Sequence, residues 1–144
     1  MERAFRFLIV DDERINRVVL EGAVRQLSRV MQPHRAPPDI EMAEDGLAAL
    51  NALRAGSFDG VFMDLMMPVM DGATAIKTMH AEGMRLPIIV VTAMDPAAVR
   101  RLPLHTVLSI VFKPISSARL EPPLSLLFDT ITAKSSTSPI RLGG

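Results

Sequence analysis

The sequence contains no cysteine, tryptophan or tyrosine, and its 16 basic and 16 acidic residues give a formal net charge of zero. The missing cysteines exclude disulfides, thiolate metal sites and cysteine nucleophiles. The balanced charge argues against nucleic acid as a partner, because chains that bind it usually carry a clear basic excess. With only six phenylalanines, we expect no aromatic platform for single-stranded nucleic acid. We also expect a core of aliphatic side chains and methionine.

Long hydrophobic runs are also missing. The longest strongly apolar stretch, residues 86–93, is far shorter than the ~20 residues that cross a bilayer, so no membrane association is expected. The apolar run near the N-terminus is short and stops at Asp11, unlike a secretory signal. The expectation is therefore a cytoplasmic protein, and 144 residues correspond to about one domain.

Short apolar runs rich in β-forming residues alternate five times with segments of helical periodicity. The predicted strands are 5–10, 39–44, 60–63, 86–91 and 107–112. The predicted helices are 15–31, 46–55, 71–82, about two turns after Asp95, and 116–133. This alternation predicts an α/β fold with a parallel sheet that is covered on both faces.

Two helices carry more detailed expectations. In the first helix, Ile15, Val19 and Leu27 fall on one apolar face at helical spacing. In the last helix, Pro122 and Pro123 conflict with a helix interior, so we expect a break near residue 121 and a main helix that starts at the prolines. Residues 134–144 are rich in serine and threonine and are expected to form a disordered tail after a domain of residues 1–133.

Polar residues follow the strands where each strand ends. Asp11 and Asp12 follow the first strand, Asp64 the third, Thr92 the fourth and Lys113 the fifth. In doubly wound sheets the ligand site lies beyond these carboxyl ends. Three carboxylates and one lysine sum to about −2, and two like charges ~4 Å apart repel by roughly 4 kcal/mol at an effective dielectric near 20.

A divalent cation would neutralise this cluster, and an all-oxygen ligand set favours Mg²⁺, Ca²⁺ or Mn²⁺ over zinc. Lys113 and Thr92 are suitable donors to the oxygens of a phosphoryl group. The pattern therefore predicts a metal-assisted phosphoryl site with a carboxylate as the nucleophile. Each residue alone has a simpler explanation, such as helix capping for the Asp11–Asp12 pair, and only their joint occurrence indicates a site.

Four segments resemble the motifs of the receiver domains of two-component response regulators. They are residues 8–13 (LIVDDE), 61–72 (VFMDLMMPVMDG), 90–93 (VVTA) and 112–114 (FKP). Residues 43–50 (AEDGLAAL) are similar to the second strand and helix of the family, and the resemblance runs from about residue 6 to residue 132. It implies a flavodoxin-like, doubly wound, five-stranded parallel sheet of order 2-1-3-4-5 with helices on both faces.

The resemblance implies a phosphoacceptor and a metal site. Asp64 would accept a phosphoryl group from a phosphohistidine of a histidine kinase or a histidine phosphotransfer protein. Asp12, Asp64 and the backbone carbonyl of Met66 would bind Mg²⁺, with Mn²⁺ as a substitute, and Asp11 would act through metal-bound water. Such a protein catalyses its own phosphorylation and slow dephosphorylation but turns over no separate substrate, so it is not an enzyme in the usual sense.

The resemblance also assigns the groups that bind phosphate. Lys113, the Thr92 hydroxyl and the Ala93 amide would each contact a phosphoryl oxygen. A small residue is needed at Ala93, because a larger side chain would crowd the phosphate. The peptide bond between Lys113 and Pro114 is typically cis in the family, which would direct the lysine into the site.

Several residues depart from the family pattern. An aromatic residue normally stands three positions before the lysine and swings inward on activation, whereas Ile110 stands here. Met66 and Met94, two residues after Asp64 and Thr92, offer no group that orients a hydrolytic water, so we expect slow self-dephosphorylation. The short fourth helix and the prolines of the fifth favour a monomer over the usual family dimer.

The start of the first helix is the expected docking surface for the phosphodonor. Its residues Arg14, Ile15, Arg17 and Val18 would lie beside the acidic site, and the resemblance implies kinase contact there. A solvated helix face is the simpler alternative.

Two other functions compete with a phosphorylated switch. A hydrolase of the haloacid dehalogenase type also uses an aspartate nucleophile and Mg²⁺. Such enzymes carry an Asp-x-Asp motif whose second aspartate is the general acid, whereas Met66 stands at that position here, two residues after Asp64. A scaffold receiver that never takes phosphate would have lost an acid or the lysine, and Ile110 is its only support.

Overall fold

The computed structural model describes residues 2–136. Five strands alternate with five helices, and most boundaries lie within two residues of the predicted ones. The elements are β1 (Arg6–Val10), α1 (Arg14–Met31), β2 (Asp39–Ala43), α2 (Gly46–Ala55), β3 (Gly60–Met63), α3 (Gly72–Ala81), β4 (Ile88–Thr92), α4 (Pro96–Val99), β5 (Ser109–Phe112) and α5 (Ser117–Ser136). Helix α4 has one turn rather than the two expected.

The five strands form one parallel sheet in the order β2-β1-β3-β4-β5, which confirms the predicted flavodoxin-like fold. Val10 on β1 is aligned with both Ala43 on β2 and Met63 on β3, and Thr92 on β4 is aligned with Phe112 on β5. The register therefore brings the carboxyl ends of β1, β3, β4 and β5 to one edge of the sheet.

Alternating strand residues fill two separate cores, because successive side chains of a strand point to opposite faces of the sheet. Leu8 and Val10 point to the face covered by α2 and α3, where Leu50 and Ile76 pack. The strand residues that alternate with them, such as Phe7 and Ile9, point to the face covered by α1 and α5. Burial on both faces explains why the inner strands are continuously apolar.

The core under α1 and α5 is more aromatic than the composition suggested. Phe5 stacks on Phe128 with ring centroids 5.5 Å apart, and Phe7 meets Phe62 edge-to-face at 5.7 Å. The expected core of aliphatic and methionine side chains is therefore wrong for this face. The few phenylalanines are concentrated here, where large rings fill the space between two helices and the sheet.

Helix α1 packs with only part of the predicted face, because Leu27 is buried but the residues near the start of the helix are not. Leu20, Val24 and Leu27 are buried, whereas Ile15 is 66% exposed and Val19 is half exposed. The helix carries two apolar stripes, and only the stripe with the i, i+4, i+7 spacing of these buried residues lies on the sheet. The second stripe is left at the surface near the start of the helix.

Helix α5 is continuous from Ser117 to Ser136 and contains Pro122 and Pro123, so the predicted break is wrong. The prolines lie in the second turn, and the carbonyls that lose their donors belong to exposed residues, where water can bind them. Leu120 and Leu124 are fully buried on either side of the prolines and hold the helix on the sheet. The helix includes three residues of the segment predicted as a tail, and residues 137–144 lie outside the described residues.

Candidate functional site

The predicted site residues converge at the carboxyl edge of the sheet. The Asp11 amide donates to the Ala43 carbonyl and the Asp64 amide to the Val10 carbonyl, so both aspartates extend the strand pairing by one residue. The Lys113 amide donates in the same way to the carbonyl of Thr92 at 2.8 Å. Backbone pairing beyond the last strand residues therefore holds the acids and the lysine side by side.

Lys113 joins two of the acids directly. Its Nζ lies 2.7 Å from Oδ2 of Asp11 and 3.3 Å from Oδ2 of Asp64. Burial alone would lower the pKa of Lys113, but the hydrogen bond to Asp11 and the charge of Asp64 outweigh it and raise that pKa. The lysine is therefore a permanent cation between the two carboxylates.

Asp64 is a buried carboxylate with one oriented oxygen. Its Oδ1 accepts hydrogen bonds from the amides of Leu65 at 2.7 Å and Met66 at 3.4 Å, and its Oδ2 faces Lys113. Burial raises the pKa of Asp64, Lys113 opposes the shift, and the negative charge of Asp11 adds to it. Burial is the main cause of the raised pKa of Asp64, and it favours any group that stabilises the charged carboxylate.

The three acids fit a divalent cation. Asp11, Asp12 and Asp64 each offer a carboxylate oxygen, and these oxygens lie within 4.8 Å of one another. Opposite ligands of Mg²⁺ are about 4.2 Å apart, twice its bond length of ~2.1 Å, so the spread is close to what the ion requires. Asp12 is exposed while the other two are buried, which suits an ion that keeps several waters.

The remaining predicted phosphate-binding residues lie on β4 and after it. Thr92 is fully buried, and its hydroxyl accepts a hydrogen bond from the Met94 amide at 3.1 Å. Ala93 is exposed. The peptide bond between Lys113 and Pro114 is cis, as the resemblance implied. The roles of these residues toward phosphate, and that of the Met66 carbonyl toward a metal, stay predictions.

The segment between Asp64 and α3 depends on two glycines that let backbones approach closely. A Cβ on Gly72 would lie 2.0 Å from the carbonyl oxygen of Asp64, and one on Gly46 would lie 2.6 Å from that of Met70. Both are far below van der Waals contact, so only glycine lets the backbones approach. Gly72 also donates its amide to the Leu65 carbonyl at 3.0 Å, which fixes the loop that carries Asp64.

Val69 in this loop has a strained backbone. Its φ is +66°, and the Met70 amide donates to the Pro68 carbonyl at 2.7 Å across it. A bond of this kind around a positive φ is a rare γ-turn, and a β-branched residue is especially disfavoured there. No periodicity or motif in the sequence signals this strain.

A cleft of about 500 Å³ opens beside the acids and is lined by Asp12, Met66, Met67, Met94 and Leu102. Met66 is 58% exposed, so its side chain lies at the surface of the cleft rather than in the core. Ile110 is half-buried and packs against the core on the α2–α3 face. Among the described residues that line this cleft, the charged ones are Asp12 and Asp71, and the remainder are apolar.

The predicted docking residues flank the site at the start of α1. Arg14, Ile15 and Val18 are exposed, whereas Arg17 is half-buried and donates to the Asp11 carbonyl at 2.7 Å. Arg17 therefore also holds the loop between β1 and α1. A groove of about 540 Å³ between this helix and the end of β2 is lined by Arg14, Arg17 and Val18.

Taken together, the fold and the acidic cleft define a flavodoxin-like α/β protein with a candidate divalent-cation site. A sequence profile described as the response regulator receiver domain matches residues 7–124. The response regulator MprA of Mycobacterium sp. (strain KMS) is 36% identical over 95 residues, which cover 66% of this chain and 37% of that protein. The chain thus belongs to the response regulator receiver domain family, and its match spans little more than a third of those curated relatives.

Solved structures agree with this assignment. The receiver domain of the sensor histidine kinase PA1611 from Pseudomonas aeruginosa PAO1, described with a magnesium ion coordinated in the active site cleft, has a TM-score of 0.71. It is 26% identical, and the match covers 90% of this chain and 98% of that one. The signal receiver domain of a putative Luxo repressor protein from Vibrio parahaemolyticus shares the fold, with a TM-score of 0.74 at 19% identity over 94% and 98% of the two chains. Among residues 2–136, no helix is long and apolar enough to cross a membrane.

Proposed function

We propose that this receiver domain takes a phosphoryl group from a phosphohistidine onto Asp64 and changes conformation to signal to a partner. The observation that carries the proposal is the position of Lys113 Nζ, which contacts both Asp11 and Asp64 within a cluster of three carboxylates. This arrangement holds one buried carboxylate ready as an acceptor, with a fixed cation at its second oxygen. A cytoplasmic location and a monomeric state stay predictions.

The transfer is a single displacement. An oxygen of the Asp64 carboxylate forms the new bond to phosphorus, and the bond from phosphorus to the histidine nitrogen breaks. The other ring nitrogen of the phosphohistidine carries a proton, so the ring leaves with the electron pair as neutral imidazole. Mg²⁺, bound by Asp12 and Asp64 with Asp11 through water, would supply charge neutralisation for the phosphoryl oxygens. Asp64 is pre-positioned by the two amides on its Oδ1, which reduces the reorganisation that the reaction requires.

The phosphorylated state would be held by side chains already at the cleft. Lys113 is placed to follow the negative charge as it moves from the carboxylate to the phosphoryl oxygens. The Thr92 hydroxyl and the Ala93 amide would bind the others. Since Met66 and Met94 offer no group that positions water, we infer that the acyl phosphate is long-lived, which suits a relay.

The phosphodonor would dock on the exposed apolar stripe of α1. Ile15, Val18 and Val19 are all substantially exposed, although a monomeric surface usually buries such a contiguous group. They lie one to two turns from Asp12 along the chain, so a partner seated on them reaches the cleft. The partner proposed is a histidine kinase or a histidine phosphotransfer protein.

The acceptor role is tested with a small phosphodonor. Incubating the protein with acetyl phosphate and Mg²⁺ should add one phosphoryl group, measured by intact mass, and chelating the metal should abolish the gain. The variant Asp64→Asn should gain none, whereas the control Asp39→Asn, at the far end of β2, should behave as the wild type. A wild type that gains no phosphoryl group would favour the alternative that the protein is a scaffold receiver. An undiminished adduct in Asp64→Asn would refute the assignment of Asp64 as the acceptor.

The docking surface is tested separately with a phosphorylated histidine phosphotransfer protein. The variant Ile15→Glu should slow transfer from that protein by about tenfold or more while leaving the reaction with acetyl phosphate unchanged. Val30→Glu is the matched control, since Val30 is equally exposed on the same helix but at its other end. Equal rates for the two variants would place the docking surface elsewhere.

A further inference from the structure

Methionine supplies all the sulfur in this protein. The chain has ten methionines and no cysteine, so an oxidant that reacts with sulfur can act here only on thioethers. Oxidation converts the thioether into a sulfoxide, which turns a flexible apolar side chain into a polar one, and dedicated reductases reverse the change. Which methionine reacts depends on which thioether the oxidant can reach.

Met66 is the most accessible methionine in the part of the chain that the structure describes. It is 58% exposed, whereas Met63 and Met79 are fully buried. The other methionines within residues 2–136 are only partly exposed. Because susceptibility to oxidation follows exposure, Met66 is the methionine that an oxidant in solution meets first.

Met66 is also held beside the phosphoacceptor. Its amide donates to Oδ1 of Asp64 at 3.4 Å, which keeps the backbone of the residue against the carboxylate. Its side chain lines the cleft of about 500 Å³, together with Asp12, Met94 and Leu102. The most accessible thioether therefore lies in the cleft that opens beside the candidate site.

The charge of this cleft selects the kind of oxidant. Asp12 and Asp71 line it, and their negative potential lowers the local concentration of anions. A neutral molecule is not repelled in this way. A neutral hydroperoxide, of which hydrogen peroxide is the smallest, is therefore the oxidant that suits the cleft.

We propose that Met66 is a peroxide-sensitive site whose sulfoxide shortens the life of the phosphoryl group on Asp64. The Met66 sulfur forms a bond to one peroxide oxygen, the O–O bond breaks, and a proton shift releases water. Sulfur is thereby oxidised by two electrons and the peroxide is reduced.

The sulfoxide changes what the cleft offers to water. The thioether is at best a weak acceptor, whereas the sulfoxide oxygen accepts hydrogen bonds and keeps a water molecule in the cleft, where it can attack the acyl phosphate. This effect on lifetime rests on the proposed function of Asp64. The oxidation of Met66 does not, because it needs only the exposed thioether.

The first experiment maps the oxidation site on the full chain. Limited treatment with hydrogen peroxide, without any phosphodonor, is followed by peptide mass spectrometry, in which fragment ions distinguish Met66 from Met63. Met66 should gain oxygen about tenfold faster or more than the buried Met63 and Met79. Equal rates for these three residues, or faster oxidation of any other methionine within residues 2–136, would overturn the proposal.

The second experiment measures phosphoryl loss. Untreated and peroxide-treated proteins are phosphorylated with acetyl phosphate and Mg²⁺, the donor is removed, and the loss is followed by intact mass. The treated wild type should lose the group severalfold faster than the untreated one, and incubation with methionine sulfoxide reductases should restore the slow loss.

Two variants assign the response to Met66. Met66→Leu, which keeps an apolar side chain of similar size, should lose the phosphoryl group at the same rate with and without peroxide treatment. Met84→Leu is the control, since Met84 is only partly exposed and lies just before β4, at the other edge of the sheet. Its response to peroxide should equal that of the wild type.

The outcomes separate this inference from the proposed function. Equal loss from treated and untreated wild type, or a peroxide response that persists in Met66→Leu, would overturn the role of the sulfoxide. An untreated wild type that takes no phosphoryl group would refute the proposed function and the effect on lifetime with it. The peptide map would still support or overturn Met66 as the oxidation site.

Discussion

Replacing Val69 with glycine is expected to stabilise the protein, although it removes a side chain. Val69 is 77% exposed and its φ is +66°, so the side chain has little packing to lose and its backbone is strained. The strained positive-φ backbone costs an L-residue roughly 1–2 kcal/mol, and glycine adds about 0.5–1 kcal/mol of unfolded-state entropy. The net gain is about 0.5–1 kcal/mol in the free energy of unfolding.

Urea unfolding followed by circular dichroism, without Mg²⁺, measures this difference. A gain of that size corresponds to a rise in Tm of roughly 1–4 °C for a chain of this length. Val30→Gly is the matched control, because Val30 is 70% exposed but helical, and glycine there should lower stability by about 0.5–1 kcal/mol. If Val69→Gly is no more stable than the wild type, the strain inferred for this loop is absent.

Three further predictions concern the site and the base of the sheet. Gly72→Ala should lower the free energy of unfolding by about 2 kcal/mol or more and slow phosphorylation, because its Cβ would overlap the Asp64 carbonyl. The control Gly22→Ala, where a Cβ would have no atom within 4 Å, should be neutral or stabilising by up to about 1 kcal/mol. Equal effects of the two variants would contradict the steric argument. Burial opposes the ionisation of Asp59, but hydrogen bonds from Arg3 and the Arg6 amide outweigh it and lower its pKa. The wild type should therefore be more stable than Asp59→Asn by about 1 kcal/mol at pH 7. This difference should be present above pH ~4 and should be lost as the pH falls through the lowered pKa. A difference that does not change between pH 7 and pH 2 in urea titrations would refute that reasoning. Phosphoryl loss from the wild type, followed by intact mass, should be slow, and Met66→Asn should accelerate it severalfold by orienting water, whereas a wild-type half-time of seconds would contradict the role given to Met66.

The sheet and the acidic cleft were predictable because the same residues signal both. A strand buried on both faces is continuously apolar, and its end is marked by the first polar residue, as at Asp11 and Asp64. Parallel pairing then places these ends together without further information. The strand order followed from the resemblance, since the alternation of elements alone does not determine it.

The features that the sequence concealed depend on packing rather than on pattern. Helix α1 has two apolar stripes, and only the sheet beneath it selects the one with Leu20 and Val24. The energetic cost of proline inside a helix predicts a break in α5, but the burial of Leu120 and Leu124 on both sides of the prolines outweighs that cost. The strain at Val69 arises from three-dimensional contacts that neither composition nor spacing records.

The most direct test of the central claim is to locate the phosphoryl group on the chain. After reaction with acetyl phosphate and Mg²⁺, borohydride reduction converts a phosphorylated aspartate into homoserine, and peptide mass spectrometry identifies its position. The account predicts homoserine at position 64 alone, in a yield that falls when the metal is chelated. Homoserine in place of Asp11 or Asp12 would contradict the account. So would the absence of homoserine after incubation with acetyl phosphate that is shown to be active on another protein.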